Sequence, residues 1–224
     1  AAMAEKTGAE VKVLDLLVAE PNEGVEKLKS IVEWKPDFIG FSTTTSSFLD
    51  GYEKACFVKK LDPAIKIIFG GVHVSSLVSK VLVKFPNIDF AIIGEGEIPF
   101  AKLINGNDPS TIKGLVYRDN GEVKYAGTPT DFVTLDELPL PAYHLLDGYP
   151  DAYILPLLNT PSAHGTSLIS SRGCPYTCDF CDRSVFGRSF RYNSAEYIID
   201  HMTFLYQKYH IRHFNIYDDL FTLK

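Results

Sequence analysis

Three cysteines lie close together in the stretch SRGCPYTCDFC, which spans residues 171–181. They are Cys174, Cys178 and Cys181, so their spacing is C-x3-C-x2-C. A loop with that spacing can carry three thiolates to three irons of a cubane iron–sulfur cluster. The fourth iron would then lack a cysteine and could bind a small molecule. The motif therefore predicts a metal centre with one open coordination position.

A structural zinc site of the Cys3His type is the alternative interpretation of these cysteines. Its fourth ligand would be His201, His210 or His213. Structural zinc sites usually combine two short knuckles, and the sequence has no second knuckle. The remaining cysteine, Cys56, lies on an apolar helical stripe, which predicts a buried core thiol.

The elements that must position such a centre alternate regularly over the first hundred residues. Strands are predicted at 11–14, 38–41, 65–69 and 89–93, with helical segments between them. The helical segments carry apolar stripes at Val25, Leu28 and Ile31 and at Val78, Val81, Leu82 and Phe85. Strands separated by single helices form βαβ units, so a parallel sheet covered on both faces is predicted.

The pattern changes after residue 108. Asp119-Asn120-Gly121 between two β-rich runs predicts a hairpin, and six prolines between residues 129 and 161 predict a linker with little regular structure. A strand at 166–170, a helix at 195–209 and a strand at 211–217 follow. We therefore expect three parts, at 1–108, 109–163 and 164–224. We also expect that the natural protein begins earlier, with a further strand, and continues beyond the last residue.

Composition restricts the partners and the compartment. The 224 residues include 22 basic and 28 acidic side chains, a formal net charge of -6, and no basic cluster predicts a nucleic-acid partner. No apolar run has membrane-spanning length and no secretory segment opens the chain, so we expect a cytoplasmic protein without a membrane partner. Three clustered cysteines in such a compartment indicate a metal site rather than disulfides.

Polar and glycine-rich turns follow three of the predicted strands. Open α/β sheets bind ligands at the carboxyl ends of their strands, where glycine lets a ligand approach the backbone. Glycines at strand ends are also common as simple turn-formers. No G-x-G-x-x-G motif opens a helix, so a dinucleotide is not expected. The candidate residues are Ser42, Thr43 and Thr44, then Gly70, Gly71 and His73, and then Gly94, Glu95 and Gly96.

The cysteine motif resembles the C-x3-C-x-aromatic-C signature of the radical S-adenosylmethionine (radical SAM) enzymes. Together with GGVHVSS, GEGE, LDELPLPAYHLLD and YDDLFT, in that order, it is similar to the cobalamin-dependent members of that family over essentially the whole chain. The resemblance implies an α/β fold, with a Rossmann-like cobalamin-binding domain, a hairpin, a linker and the start of a radical SAM (β/α) partial TIM barrel. Two departures are Val72, where the family often has proline, and the lack of D-x-H-x-x-G.

The resemblance also implies cofactors and roles. Cys174, Cys178 and Cys181 would hold a 4Fe-4S cluster, Phe180 would lie near the adenine of S-adenosylmethionine, and Asp218 or Asp219 would accept hydrogen bonds from its ammonium group. The three glycine-rich turns would face cobalamin. The activity implied is reductive cleavage of S-adenosylmethionine, leading to methyl transfer or oxidative cyclisation on a small-molecule substrate. A one-electron donor such as a flavodoxin or ferredoxin would be the partner.

Several assignments keep a second interpretation. The chain as a whole could be a non-catalytic cobalamin-binding or zinc-stabilised module. His73 could be a cobalt ligand or a hydrogen-bond partner. Asp218 and Asp219 could cap a strand end. Arg188 and Arg191 could balance the charge of the cluster or face solvent.

Overall fold

The computed structural model describes residues 1–16, 23–130, 132–153 and 164–223, which form two compact units. Within the described residues, the first unit contains 7–9, 23–130, 132 and 133, and the second contains 1–6, 10–16, 134–153 and 164–223. The chain starts in the second unit with helix α1 (Ala2–Lys6). Gly8 follows with φ 87°, the left-handed conformation that is common for a glycine just beyond a helix end.

The first unit is an α/β sheet structure with strand order β1-β2-β3-β4-β5. Strands β1, β2 and β3 are parallel, so the predicted strands at 38–41, 65–69 and 89–93 and the α/β fold are confirmed. The elements in chain order are α2 (Glu23–Glu33), β1 (Phe38–Ser42), α3 (Phe48–Leu61), β2 (Lys66–Gly70), α4 (Val72–Leu77), α5 (Lys80–Lys84), β3 (Phe90–Ile92), α6 (Glu97–Ile104), β4 (Leu115–Asp119) and β5 (Glu122–Tyr125).

The central strand β2 shows why this sequence forms a covered parallel sheet. Ile67, Ile68 and Phe69 are consecutive and all buried, which requires packing on both faces of the strand. Phe48 at the start of α3 packs edge-on against Phe69, with ring centroids 5.5 Å apart. A strand of this composition gains free energy only inside a sheet with helices on both sides.

The hairpin β4–β5 continues this sheet. Strand β4 pairs antiparallel with β3, so that Ala91 lies opposite Val116. Asn120 and Gly121 both have positive φ, as a tight two-residue hairpin turn requires. The hairpin prediction is confirmed, but the sequence did not indicate its pairing with β3. The predicted boundaries at residues 108 and 163 stay predictions.

Several local predictions for the first hundred residues are wrong. Residues 11–14 are not a strand, since no neighbouring strand of the described chain pairs with them. Val78 has φ 50° and separates α4 from α5, so the helix on this stripe begins only at residue 80. The predicted turn at Gly70, Gly71 and His73 is helical from Val72. Val25 is 51% exposed, while Leu28 and Val32 form the buried side of α2.

The second unit is built around one βαβ crossover. Its elements are β6 (Gly165–Leu168), β7 (Ser171–Gly173), β8 (Phe190–Tyr192), α7 (Ala195–Tyr209) and β9 (His213–Ile216). Strands β6 and β9 are parallel, and α7 connects to β9 through a left-handed residue, His210. Helix α7 has the predicted bounds, and the Ser194 hydroxyl caps it by accepting from the Tyr197 amide at 3.1 Å.

The proline-rich segment 134–149 belongs to the core of this unit. Tyr143 is buried with Leu168, Leu205 and Ile211, and the Tyr149 hydroxyl donates to Thr166 Oγ1 at 3.2 Å. Its regular structure is limited to two short 3-10 turns, Leu135–Glu137 and Tyr143–Leu145, as the prediction of a linker anticipated. Residues 154–163 of that predicted linker lie outside the described residues. Across the described part of the chain, no helix combines the length and the apolar character needed to cross a membrane.

Candidate functional site

The three cysteines lie on one loop, residues 174–189, which we call the cysteine loop. It joins β7 to β8, which pair antiparallel and close its base. Gly173 has φ 84°, and a Cβ there would overlap the carbonyl oxygen of Ser189, so only glycine fits at this close approach. The amide of Cys181 donates to the carbonyl of Cys178 at 3.1 Å, which forms a turn between these two cysteines.

The cysteine loop fits a cluster better than a single ion. All three thiols are free; Cys174 is half-buried and Cys178 and Cys181 are exposed. Within residues 1–16, 23–130, 132–153 and 164–223, no three His, Cys, Asp or Glu side chains are grouped to hold a metal ion. A zinc ion needs its thiolates to meet at about 2.3 Å from one point, whereas the irons of a cubane occupy separate corners. Three free thiols on one loop are the donor set of a cluster that leaves one iron open.

The histidines considered for a zinc site are engaged elsewhere. His201 is buried in α7, and its Nε2 lies 3.0 Å from the hydroxyl of Tyr143. His213 Nε2 lies 3.0 Å from Asn215 Oδ1. His210 ends α7 in a left-handed conformation. The contacts of His201 and His213 give their side chains a structural role and favour the cluster interpretation over Cys3His zinc.

The predicted S-adenosylmethionine residues have different surroundings. The ring of Phe180 is 93% exposed and therefore open to stacking. The carboxylate of Asp218 accepts hydrogen bonds from the Ser170 amide at 2.7 Å, from the Ser171 amide at 3.2 Å and from the Ser170 hydroxyl. Asp218 thus joins the end of β9 to the corner between β6 and β7, as the strand-end interpretation expects. Asp219 is exposed, and the roles of these three residues toward S-adenosylmethionine stay predictions.

The candidate cobalamin residues meet at one edge of the first sheet, because β1, β2 and β3 are parallel and end there together. The Thr43 amide donates to the Gly70 carbonyl at 3.1 Å, and the Gly94 amide donates to Ser75 Oγ at 3.0 Å. Gly71 has φ 101°, and a Cβ there would overlap the Thr43 carbonyl oxygen. The three turns are therefore one connected surface, which we call the carboxyl edge.

The glycines of the carboxyl edge differ in what they do for the fold. Gly71 is required by its own backbone, as a turn-former would be. At Gly70 a Cβ would lie 4.0 Å from the carbonyl oxygen of Ile92, and at Gly96 it would lie 3.9 Å from Ile92 Cγ2, both ordinary contacts. The fold does not need glycine at these two positions. Their bare backbone leaves room for a flat, bulky ligand, which is the property that a cobalamin site needs.

A hydroxyl-rich turn and His73 complete the carboxyl edge. The Thr44 amide donates to Ser47 Oγ at 3.0 Å, and Thr43 Oγ1 is buried without a hydrogen-bond partner in the structure. His73 Nδ1 lies 3.2 Å from Thr45 Oγ1, and its ring packs against Phe48 at 4.4 Å. These contacts match the hydrogen-bonding interpretation of His73, and cobalt ligation stays a prediction. Ser42 is exposed, and Glu95 is half-buried in the turn before α6.

The burial predicted for Cys56 is wrong, and the structural role of Asp136 was not predicted. Cys56 is half-buried rather than fully buried, and Asn87 Nδ2 lies 3.1 Å from its sulfur. Asp136 Oδ1 accepts from the Ser194 amide and from Asn193 Nδ2, both at 3.0 Å, and so supports the first turn of α7. The Ser194 hydrogen bond is the main reason why the pKa of Asp136 lies below its usual value. No sequence signal distinguished Asp136 from other acidic residues of the predicted linker.

A family model and several known proteins match this chain. A family model described as the B12 binding domain matches residues 1–104. An uncharacterized methyltransferase of Pyrococcus horikoshii is 32% identical over 96% of this chain and 46% of its own length. An anaerobic magnesium-protoporphyrin IX monomethyl ester cyclase of Synechocystis sp. is 28% identical over 81% of the chain and 36% of its own length. The chain therefore spans less than half of these relatives.

One solved structure has a fold similar to that of this chain over nearly its whole length. The radical S-adenosylmethionine methyltransferase TsrM from Kitasatospora setae, with cobalamin and a [4Fe-4S] cluster bound, superposes with a TM-score of 0.67 at 17% identity, over 96% of this chain and 43% of that one. A B12-binding sheet followed by a radical SAM fold with its cysteine loop is the class that the fold and the site define. The chain belongs to the cobalamin-dependent radical SAM enzyme family.

Proposed function

We propose that this chain carries the cobalamin- and cluster-binding parts of a radical SAM enzyme. Cys174, Cys178 and Cys181 would hold a 4Fe-4S cluster, and the carboxyl edge would hold cobalamin. The observation that carries the proposal is the cysteine loop itself, with three free thiols on one tightly closed loop directly after β7. The bare backbone at Gly70 and Gly96 supports the cobalamin part.

The reaction that we propose is methyl transfer to a small-molecule substrate. The P. horikoshii relative, at 32% identity, is named a methyltransferase, and so is the solved protein TsrM. Oxidative cyclisation is the second candidate, because the Synechocystis relative is named a cyclase. A flavodoxin or ferredoxin would supply electrons one at a time in the cytoplasm, and neither nucleic acid nor membrane is part of the proposal.

The residues of this chain would bind and orient the cofactors. When bound, the cluster supplies one-electron cleavage of S-adenosylmethionine, and cobalamin supplies a transferable methyl group. Gly173 closes the cysteine loop and holds Cys174 next to the ordered strand β7. Asp218 keeps the β6–β7 corner in place through Ser170. The exposed ring of Phe180 would cover the adenine and keep water from it.

Anaerobic reconstitution with iron and sulfide tests the proposal. The chain should bind iron and sulfide and show the broad visible absorption of a thiolate-bound cluster. The isolated fragment should be inactive, and the full-length protein should release 5′-deoxyadenosine from S-adenosylmethionine under reduction. Cys174→Ser, Cys178→Ser and Cys181→Ser should each lose the iron. Cys56→Ser is the matched control, since Cys56 lies in the first unit on α3, and it should keep the iron.

Three results would contradict the proposal. Stoichiometric zinc with no visible absorption would support the zinc-stabilised module instead. Iron that survives the loss of any clustered cysteine but falls in Cys56→Ser would place the metal in the first unit. Cobalamin binding without any cluster would leave the non-catalytic module as the better description.

A further inference from the structure

Two arginines face each other at the base of the cysteine loop. In the β7–β8 pairing, Arg172 lies directly opposite Arg191. Side chains that are directly opposite in an antiparallel pair point to the same face, with Cβ atoms about 4.5–5.5 Å apart. Like charges at such a position destabilise the pairing.

The segment that contains this pair has a positive net charge. Residues 171–192 contain four arginines and two aspartates, a formal charge of +2 in a chain whose total is -6. Helix α7 begins three residues after β8, and the N-terminal end of a helix carries a partial positive charge. Tyr197 in its first turn lies within electrostatic reach of Arg172, and Asp136 accepts from the Ser194 amide at the same end. Both arginines also make other contacts.

The pair lies next to the first cysteine. Gly173 and Phe190 form the adjacent pair of the ribbon, and Cys174 follows immediately. The other two arginines of this region are placed differently, because Arg183 donates to the Tyr176 carbonyl at 3.3 Å within the loop and Arg188 is exposed near its end. Only Arg172 and Arg191 are held in place by strand pairing. We call these two residues the arginine pair.

We propose that the arginine pair is the charge partner of the iron–sulfur cluster. This inference rests on the proposed function, since it needs a cluster on the cysteine loop. Three thiolate ligands bring negative charge to the base of the loop, and one electron taken from a reductant adds one more negative charge. Net charge around a cluster is one of the determinants of its reduction potential. The arginine pair therefore destabilises the folded cysteine loop when the cluster is absent. It stabilises the assembled cluster, most strongly when the cluster is reduced.

Removing one arginine charge should therefore have opposite effects on the stability of the cluster-free protein and of the protein with its cluster. Cluster-free Arg191→Gln should melt at or above the temperature of the cluster-free wild type. Reconstituted Arg191→Gln should lose its cluster to an iron chelator about tenfold faster, and its midpoint potential, titrated with dithionite, should be more negative. A tenfold change corresponds to about 1.4 kcal/mol. Arg172→Gln should behave in the same way.

Matched variants separate charge from packing. Arg188→Gln removes an exposed arginine of the same loop and should leave the chelation rate and the potential close to those of the wild type. Arg191→Lys keeps the charge and should restore the wild-type potential. The inference is wrong if Arg191→Gln and Arg172→Gln both have the chelation rate and the potential of Arg188→Gln. It is also wrong if the cluster-free and the reconstituted protein are both destabilised and Arg191→Lys restores nothing. In either case the arginine pair would be a packing feature. If the wild-type chain binds no iron, the proposed function fails first and this inference with it.

Discussion

Gly173→Ala tests whether the tight closure of the cysteine loop is what holds the cluster ligands in place. Gly173 has φ 84°, a conformation that an L-residue adopts at a cost of about 1–2 kcal/mol. A Cβ at this position would also overlap the carbonyl oxygen of Ser189 and lie 3.0 Å from its carbonyl carbon. The backbone of Ser189 cannot move without opening the ribbon, because Phe190 next to it pairs with Gly173.

The expected size of the effect follows from these two costs. Opening the Gly173–Phe190 pair removes one of the three register pairs of the ribbon, at about 0.5–1.5 kcal/mol for each hydrogen bond lost. Adding the cost of the backbone conformation gives about 1.5–3.5 kcal/mol, concentrated on a ribbon with only two other pairs. We therefore expect the ribbon to open in Gly173→Ala, so that Cys174 loses its fixed position and the cluster does not assemble.

The matched control is Gly187→Ala in the same loop. Gly187 has φ 63°, but a Cβ there would meet nothing within 4 Å, so this variant carries the backbone cost without the overlap. The assay is iron and sulfide per chain after anaerobic reconstitution, together with hydrogen exchange of the β7 and β8 amides. Gly187→Ala should keep most of its iron, and Gly173→Ala should keep little. Equal iron and equal amide protection in the two variants would refute the reasoning.

Two further predictions concern the carboxyl edge and the buried histidine. Gly96→Leu should keep the wild-type melting temperature, and in titrations it should bind cobalamin at least tenfold more weakly, a loss of about 1.4 kcal/mol. Gly40→Leu is the control, since a Cβ at Gly40 also has no close neighbour, and it should bind cobalamin normally. Unchanged affinity in Gly96→Leu would place the corrin elsewhere. Burial lowers the pKa of His201, so as the pH falls below about 6.5 the unfolded chain takes up a proton before the folded chain does. The free energy of unfolding should therefore decrease as the pH falls below that value, and it should level off below the pKa of His201 in the folded chain. Urea titrations at several pH values should show this decrease in the wild type and a smaller one in His201→Gln. An equal pH dependence in the two proteins would assign it to other groups.

The sequence predicted those features that depend on nearby residues. The buried run in β2, the helix at 195–209 and the turn at Asn120 and Gly121 are local patterns, and each is present. Residues 11–14 have the composition of a strand, but a strand also needs a partner, and partner choice is not encoded within four residues. The antiparallel attachment of β4 to β3 escaped prediction for the same reason.

The same distinction between local patterns and long-range contacts applies to the candidate site. The spacing of the cysteines is local, so the loop could be recognised from eight residues. The contacts of Asp218 with Ser170 and Ser171 join residues that are 48 and 47 positions apart, and only the pairing of β6 with β9 brings them together. The position of Arg172 directly opposite Arg191 depends on the register of two short strands, which the sequence does not specify. What the sequence could not supply was in each case a long-range pairing.

The burial of Tyr143 in the second unit limits how such proteins can exchange parts by recombination. Its ring and that of Tyr149 contact one another, with centroids 5.0 Å apart, and Tyr143 lies in one core cluster with Leu168 and Leu205. A chimera that takes the cysteine loop and α7 from one homologue and residues 134–149 from another would combine mismatched halves of a single core. The natural crossover point is therefore before residue 134, so that the proline-rich segment is inherited together with the helix that it covers.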